Sequence, residues 1–292
     1  MSYSMELKYQ RVKIWHPNSC ATVGRGLHPY YRVNLSKGYR LTKRFRLSDD
    51  KSFDVKTLLV DGDGNAKMKK NGKDHFIKTY GLNLAPHKFS GVMNTCENAT
   101  PQCIAACLDD SGLRSVFEGI HIGKVAKTIV LAEEQDWFIS QLRRELDKLV
   151  LNQSDDIAIR LNIFSDIAFE QFGFMQDYPT IQFYDYTKNS KRVGDILPNY
   201  FTTFSRSGSN ERKCLYHLNK GRNVAVVFAN DTGKGMRNIE LPKTYKGFEV
   251  VDGDKTDLRY LDPRGVVVGL RLKTHSMVDY RKIIKTNFTV AI

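Results

Sequence analysis

The feature that most constrains the fold is a series of short apolar, β-rich runs in the second half of the chain. The runs lie at residues 158–166, 180–187, 200–207, 223–231, 248–254 and 265–273, and helical tracts are predicted between some of them, at about 167–176 and 210–220. Strands that alternate with helices form mainly parallel sheets with covered faces. The pattern therefore predicts an α/β fold, either doubly wound or, as we expect here, with a mostly parallel, barrel-like sheet of partial TIM type.

A candidate strand, a cysteine-rich loop and a long helical tract precede these runs. The strand is HFIKTYGLNL, residues 75–84, and the helical tract spans about 114–150 with a break near Ala132. Apolar residues recur at helical spacing in AEEQDWFISQLRRELDKLV. The first core strand is thus expected to lead directly into the cysteines.

The N-terminal part of the chain differs from the rest in charge. Residues 1–78 contain 17 Lys or Arg and 7 Asp or Glu, a surplus of +10 in a total of +13, which leaves +3 for the remainder. We predict a basic, β-rich segment at 1–62 and an α/β core at 63–292. Basic and aromatic residues interleave in the segment, which suits phosphate contact and base stacking, so nucleic acid is a plausible partner. The alternative is a β appendage whose aromatic rings pack inward. The predicted contact residues are Arg32, Arg40, Lys43, Arg44 and Arg46.

Cysteine usage and hydropathy favour a cytoplasmic protein with no membrane contact. No apolar run of about 18 residues is present, and the N-terminus is too charged for a signal sequence. Five cysteines, odd in number and clustered, do not form a disulfide framework.

Three of those cysteines lie within NTCENATPQCIAAC, residues 94–107, as Cys96, Cys103 and Cys107. Thiolates are ligands for zinc and for iron–sulfur clusters, and a helix would place Cys103 and Cys107 on one side. We predict a metal site held by all three and favour an iron–sulfur cluster, with zinc as the alternative. In the third interpretation the cysteines are small buried apolar residues. A fourth ligand would come from His87, Cys20, Cys214 or His121.

Three local thiols without a fourth suit a cluster with one open iron, the arrangement used in radical chemistry on S-adenosylmethionine. The spacing here, C-x6-C-x3-C, departs from the C-x3-C-x2-C signature of those enzymes, and no glycine-rich cofactor strand is evident. The comparison is therefore one of layout, and S-adenosylmethionine is a further expected cofactor.

Polar residues recur where the predicted strands end. In barrel enzymes the active site lies at this edge, whereas a single polar residue there is more often a turn former or a helix cap. Candidate catalytic residues at this edge are Asn162, Asp166, Asp185, Lys188, Asp252 and Asp254.

Several longer motifs resemble one family. They are GNAKMKKN (64–71), TCENATPQCIAACL (95–108), QFYDYTK (182–188), GRNVAVVF (221–228) and VVDGDKTDLRYLDPRGVVVGLRLK (250–273). In this order they are similar to an uncharacterised phage family named after gene product 88 of mycobacteriophages, over roughly residues 64–273. The resemblance implies a virus-encoded cytoplasmic protein with a cysteine-bearing α/β core. It does not imply a reaction.

Three functions follow as hypotheses. The first is an iron–sulfur enzyme, with S-adenosylmethionine, acting on nucleotides or nucleic acid. The second is a metal-stabilised nucleic-acid-binding protein without catalysis. The third is a hydrolase or nuclease in which Asp166, Asp185, Asp252 and Asp254 hold Mg²⁺ or Mn²⁺. Signatures of serine or cysteine nucleophiles and of a phosphate-binding loop are absent from the sequence.

Overall fold

The computed structural model contains two β-sheets and five α-helices among the residues it describes. Those residues are 9–13, 30–34, 40–45, 49–55, 57–62, 71, 73–107, 118–152, 156–233, 238–274 and 277–292.

The first sheet consists of four antiparallel strands in chain order. They are β1 (Tyr9–Lys13), β2 (Tyr30–Asn34), β3 (Arg40–Phe45) and β4 (Asp49–Asp54). These strands lie within the segment, residues 1–62, that the sequence predicts to be β-rich.

The second sheet contains the remaining eleven strands. They are β5 (Leu59–Asp61), β6 (Ile77–Leu82), β7 (Asp156–Arg160), β8 (Ile181–Thr187), β9 (Gly194–Leu197), β10 (Tyr200–Ser205), β11 (Val224–Ala229), β12 (Thr244–Tyr245), β13 (Phe248–Asp252), β14 (Val267–Arg271) and β15 (Val290–Ala291). The order across the sheet is β12-β13-β14-β11-β10-β8-β7-β6-β5, and β15 and β9 pair with β11 and β10. From β6 to β13 the neighbours are parallel, whereas β5, β9 and β12 are antiparallel to their partners.

The helices lie between the parallel strands. They are α1 (Pro101–Ala105), α2 (Glu118–Glu133), α3 (Gln135–Asn152), α4 (Glu211–Asn219) and α5 (Met277–Ile284). One face of α3 buries Phe138, Leu142 and Leu146, which belong to the same apolar cluster as Ile159 and Phe183 of the sheet. Burying such side chains contributes about 1.5–3 kcal/mol each. The core of this part of the molecule therefore lies between the sheet and the α2–α3 pair.

The α/β class and the mostly parallel sheet are confirmed, but closure into a barrel is not. Within the described part of the chain, the pairings run from an edge at β12 to an edge at β5, so the sheet is open. The helix predicted at 167–176 is wrong, since two 3-10 turns occupy Phe169–Phe172 and Met175–Asp177. Gly173, with φ 67°, stops the first of them, because only glycine adopts that conformation without strain.

The boundary between the two predicted regions falls inside the structured part of the chain. β5 lies within residues 1–62 and pairs with β6 in the second sheet, and Val55 and Leu58 pack in that sheet's core. None of the described helices has the length and apolar character needed to span a membrane.

Candidate functional site

The cysteine loop lies at the carboxyl edge of the sheet because it follows β6 directly. The sequence TPQC builds its helix: Thr100 is the N-cap of α1, and its side chain accepts a hydrogen bond from the Cys103 amide at 3.1 Å. Pro101 occupies the first helical position, where its missing N–H costs nothing. Thr100 also donates to the carbonyl of Ser207 at 2.5 Å, which ties the loop to the end of β10.

Two of the three predicted metal ligands lie beside the side chain of Lys188. Burial disfavours the charge on Lys188, but the neighbouring Cys103, Asp166 and Cys96 outweigh that effect and raise its pKa above the ordinary value. Burial raises the pKa of the Cys96 thiol, although the Lys188 charge opposes this shift. Cys96 Sγ also donates to the carbonyl of Phe164 at 3.4 Å. The loops after β6, β7 and β8 thus meet around one ammonium group.

Asp166 binds the backbone of Lys188, the residue that carries this ammonium group. Its carboxylate accepts hydrogen bonds from the Lys188 amide at 2.8 Å and from the Thr187 hydroxyl at 2.8 Å. Arg192 Nη1 donates to the same carboxylate at 2.9 Å, and its Nε donates to Glu170 at 2.5 Å. Both carboxylates are therefore matched by a buried guanidinium, which holds the β8 loop rigid.

Asp185 and Asn162 form the next part of the network. The carboxylate of Asp185 accepts from the Asn162 amide at 2.7 Å, from Asn162 Nδ2 at 3.0 Å and from the Tyr200 hydroxyl at 3.1 Å. Burial raises the pKa of Asp185 to about 7, although Arg160 and these hydrogen bonds oppose the shift. Arg192 Nη2 donates to Tyr200 at 3.0 Å, so the network continues to Asp166. Asp185 can therefore gain or lose a proton near neutral pH.

The structure brings four of the six predicted catalytic residues into this network and leaves two elsewhere. Asp252 ends β13 and Asp254 follows it, four strands from β8, and they pair with Arg271 at 2.8 and 3.4 Å. Burial raises the pKa of Asp252, but the hydrogen bond from Arg271 outweighs it and lowers the value. Asp254 also pairs with Lys273. These carboxylates are neutralised by neighbouring cations and lie apart from Asp185 in the sheet.

The thiols have the donor chemistry of a soft-metal site. Cys107 lies two residues beyond the end of α1 and four beyond Cys103, about one helical turn. Across the ranges that the structure describes, no group of three or more His, Cys, Asp or Glu side chains is placed to hold a metal ion. A three-thiolate site therefore requires Cys107 to join Cys96 and Cys103, and it stays a prediction.

The candidate fourth ligands lie in different places. His87 belongs to the loop after β6, with φ 48° and its carbonyl bonded to the Thr95 amide. Cys214 is buried in α4 within a separate apolar cluster. Cys20 and the side chain of His121 lie outside the described residues.

Sequence reasoning missed Arg192, Glu170 and Tyr200, because no local pattern marks which arginine or tyrosine will meet a buried carboxylate. It also missed a contact of 2.6 Å between Ser190 Oγ and His217 Nε2. The other ring nitrogen of this histidine faces Arg222 at 3.5 Å, whereas a serine nucleophile needs a carboxylate there. Burial and this arginine lower the pKa of His217 to about 4. The pair therefore lacks the orientation of a nucleophilic dyad.

The first sheet has a basic face in its backbone register. Arg11 pairs with Arg32 and Arg32 with Thr42, and residues directly opposite each other lie on one face. Lys43 falls on the other face, and Arg46 lies outside the described residues. Positions on the basic face are Tyr9, Arg11, Lys13, Tyr30, Arg32, Asn34, Arg40, Thr42, Arg44, Asp50, Ser52 and Asp54.

A comparison with known protein families identifies the family to which the core belongs. The family model described as Gene product 88 matches residues 57–289, which covers the second sheet from β5 to β14 together with its helices. No curated protein and no solved structure matches the chain. The resemblance predicted from the sequence motifs is confirmed. The chain belongs to the Gene product 88 family of phage proteins.

Proposed function

We propose that this protein is an iron–sulfur enzyme whose cluster is held by Cys96, Cys103 and Cys107. The observation that carries the proposal is that Cys96 and Cys103 both lie beside Lys188, at the carboxyl edge of the parallel strands. Active sites of such sheets lie at that edge because its loops can vary without disturbing the core. When bound, the cluster would supply electrons for one-electron chemistry on a cofactor such as S-adenosylmethionine.

The protein's own residues have defined tasks in this proposal. The ammonium of Lys188 offsets the negative charge that thiolates bring into a partly buried loop. Asp166 binds the Lys188 backbone amide, and Arg192 binds Asp166, so the backbone from which the ammonium extends is anchored near the thiols. Asp185 is a proton donor or acceptor of suitable pKa behind that arrangement.

We further propose that the open sheet works like part of a barrel, with its functional residues at the carboxyl ends of neighbouring parallel strands. In its support, β6, β7, β8, β10 and β11 are neighbours in chain order, so their carboxyl-edge loops adjoin one another. That order brings the loops after β6, β7 and β8 to Lys188.

Anaerobic purification followed by iron and acid-labile sulfide analysis tests the proposal. We expect iron, sulfide and a broad visible absorbance in the wild type, all lost in Cys103→Ala. Cys214→Ala is the matched control, because Cys214 lies in a different apolar cluster and should leave the iron content unchanged. Zinc without sulfide would reassign the thiols to a structural site, and a metal-free protein would overturn the proposal.

A second candidate function is nucleic-acid binding through the basic face of the first sheet. Five positions on that face are Arg or Lys, namely Arg11, Lys13, Arg32, Arg40 and Arg44, and two more are tyrosines that can stack on bases. This function needs no catalysis and can coexist with the first.

Salt dependence of binding to a single-stranded oligonucleotide tests this candidate. Each lost phosphate contact should reduce the slope of log K against log salt by about 0.7. We expect that reduction for Arg44→Gln and an unchanged slope for Lys43→Gln, which removes a neighbouring charge from the opposite face. Equal effects of the two variants would argue against a defined binding face.

A further inference from the structure

Three side chains on the side of the sheet that carries Tyr186 have buried polar atoms without a hydrogen-bond partner. They are Arg160 at Nε, Arg259 at Nε and Nη1, and Thr203 at Oγ1. Arg259 and Thr203 are completely buried. Buried donors are almost always paired in folded proteins, so orphan atoms on three neighbouring side chains require an explanation.

Tyr186 links the three groups. The guanidinium carbon of Arg160 lies 4.7 Å from the centre of its ring. Thr203 is its direct partner on β10, and parallel partners lie on the same face of the sheet. Arg259 sits on a 3-10 turn, Arg259–Leu261, that packs against β8 and β10. Burial raises the pKa of Tyr186 to about 12, and the charge of Arg259 opposes this shift.

The local charges are already balanced. Arg160 Nη1 pairs with Asp257 at 3.2 Å, and Arg259 Nε approaches Asp262 at 3.3 Å. The orphan groups can all donate, so they require acceptor atoms, but a further negative charge would face two carboxylates. The group that fits is neutral and bears acceptors, such as a carbonyl oxygen or a ring nitrogen.

We infer that the surroundings of Tyr186 form a binding site for a nucleobase. Bases are neutral and planar, present carbonyl and ring-nitrogen acceptors that arginine recognises, and stack on aromatic rings. Tyr186 and Arg160 are only partly buried, whereas Thr203 and Arg259 behind them are completely buried. Lys188, which neighbours Cys96 and Cys103, follows Tyr186 by two residues, just beyond the end of β8. The inference deepens the proposed function by naming the substrate group, and it rests on that function for the ligand's role as substrate.

Calorimetric titration of the full chain with guanosine, adenosine, cytidine and uridine tests the site. We expect at least one nucleoside to bind the wild type and to bind Thr203→Val about fivefold more weakly, the loss typical of one hydrogen bond. Thr203→Val keeps the side-chain shape and removes a hydroxyl without a partner, so thermal unfolding of the free protein should not become easier.

A second pair of variants isolates the arginine. Arg160→Lys keeps the charge but removes Nε, and we expect about tenfold weaker nucleoside binding, near the lower end of the range for one hydrogen bond to a charged group. Arg264→Lys is its matched control, because Arg264 also lies over an aromatic ring, that of Phe201, at 4.4 Å, and is exposed. Its binding should equal that of the wild type.

Several results would overturn the inference. The first is that the wild type binds no nucleoside. The second is that folded Thr203→Val and Arg160→Lys both bind with wild-type affinity. The third is that the wild type binds inorganic phosphate in place of nucleosides. Repeating the titration with Cys103→Ala separates the two proposals. If Cys103→Ala still binds the nucleoside, the base site is supported whether or not the wild type contains iron. If the wild type contains iron but binds no nucleoside, only the base site is overturned.

Discussion

Asp185 is a carboxylic acid that the fold removes from water while surrounding it with hydrogen-bond donors. Burial raises its pKa to about 7, far above the ordinary value near 3.8. The native state therefore binds a proton that the unfolded chain releases at lower pH. Stability from this proton is complete below about pH 4 and is lost as the pH rises to about 7.

Asp185→Asn should remove that dependence. We expect the wild type to lose stability relative to the variant between about pH 4 and about pH 7, by at most about 4 kcal/mol, because each pKa unit corresponds to about 1.4 kcal/mol. Urea denaturation across this range measures the difference. If the free energy of unfolding changes with pH in the same way in the two proteins, Asp185 has an ordinary pKa in the folded state.

Arg192 and Arg264 show how burial changes the effect of losing an ion pair. The side chain of Arg192 is 8% exposed and pairs with Asp166 and Glu170, whereas that of Arg264 is 51% exposed and pairs with Asp195.

Arg192→Met should lower the free energy of unfolding by about 3–5 kcal/mol, since it leaves two buried carboxylates uncompensated. Arg264→Met should lower it by no more than about 1 kcal/mol. Chemical denaturation of both variants provides the comparison. A small effect at Arg192 would mean that water compensates the two carboxylates.

At the scale of elements, α1 depends on one side chain. Its five residues are too few to be stable alone, and Thr100 both caps the helix and bonds to Ser207 in the loop after β10. That threonine is the reason why Cys103 has a fixed position relative to Lys188.

Thr100→Val should therefore act on stability and on the thiol site together. We expect a loss of about 1–2 kcal/mol, the usual cost of removing a cap, and a lower iron content than in the wild type. Thr100→Ser keeps the hydroxyl and should preserve both quantities. If the valine variant unfolds earlier but binds iron normally, the cap does not position the thiols.

Local patterns predicted most elements but not all of them. The runs at 180–187 and 200–207 became β8 and β10 almost unchanged, because apolar and β-branched residues concentrate in them. The tract at 167–176 has helical spacing of apolar residues, yet Phe169 and Met175 instead anchor two short turns against the core. Tertiary packing of large side chains outweighed local propensity there.

At the scale of the whole molecule, the second sheet carries its own core. All of its strands begin after residue 58, the family match begins at residue 57, and Val55 and Leu58 complete its packing. Among the described strands the first sheet pairs only with itself, and its β3 and β4 make a limited contact with α2.

A chain that starts at Val55 should thus unfold cooperatively, with a Tm within about 4 °C of the full chain, a change near 1 kcal/mol. It should retain the metal and nucleoside properties and lose binding to oligonucleotides. Differential scanning calorimetry and the titrations described above check each part. An aggregated or non-cooperative product would show that the core requires the first sheet.

The sequence by itself determined the α/β class, the place of Cys96 and Cys103 after the first core strand, and the family, because these depend on short-range periodicity and spacing. Only the tertiary structure decided which polar residues meet. β14 lies between β11 and β13, which takes Asp252 away from Asp185. The pairing of β10 with β8 brings Tyr200 to Asp185, and the loop before β9 brings Arg192 to Asp166. Such contacts join residues that are distant in the chain. They depend on the order of the strands in the sheet, and local propensity does not encode that order.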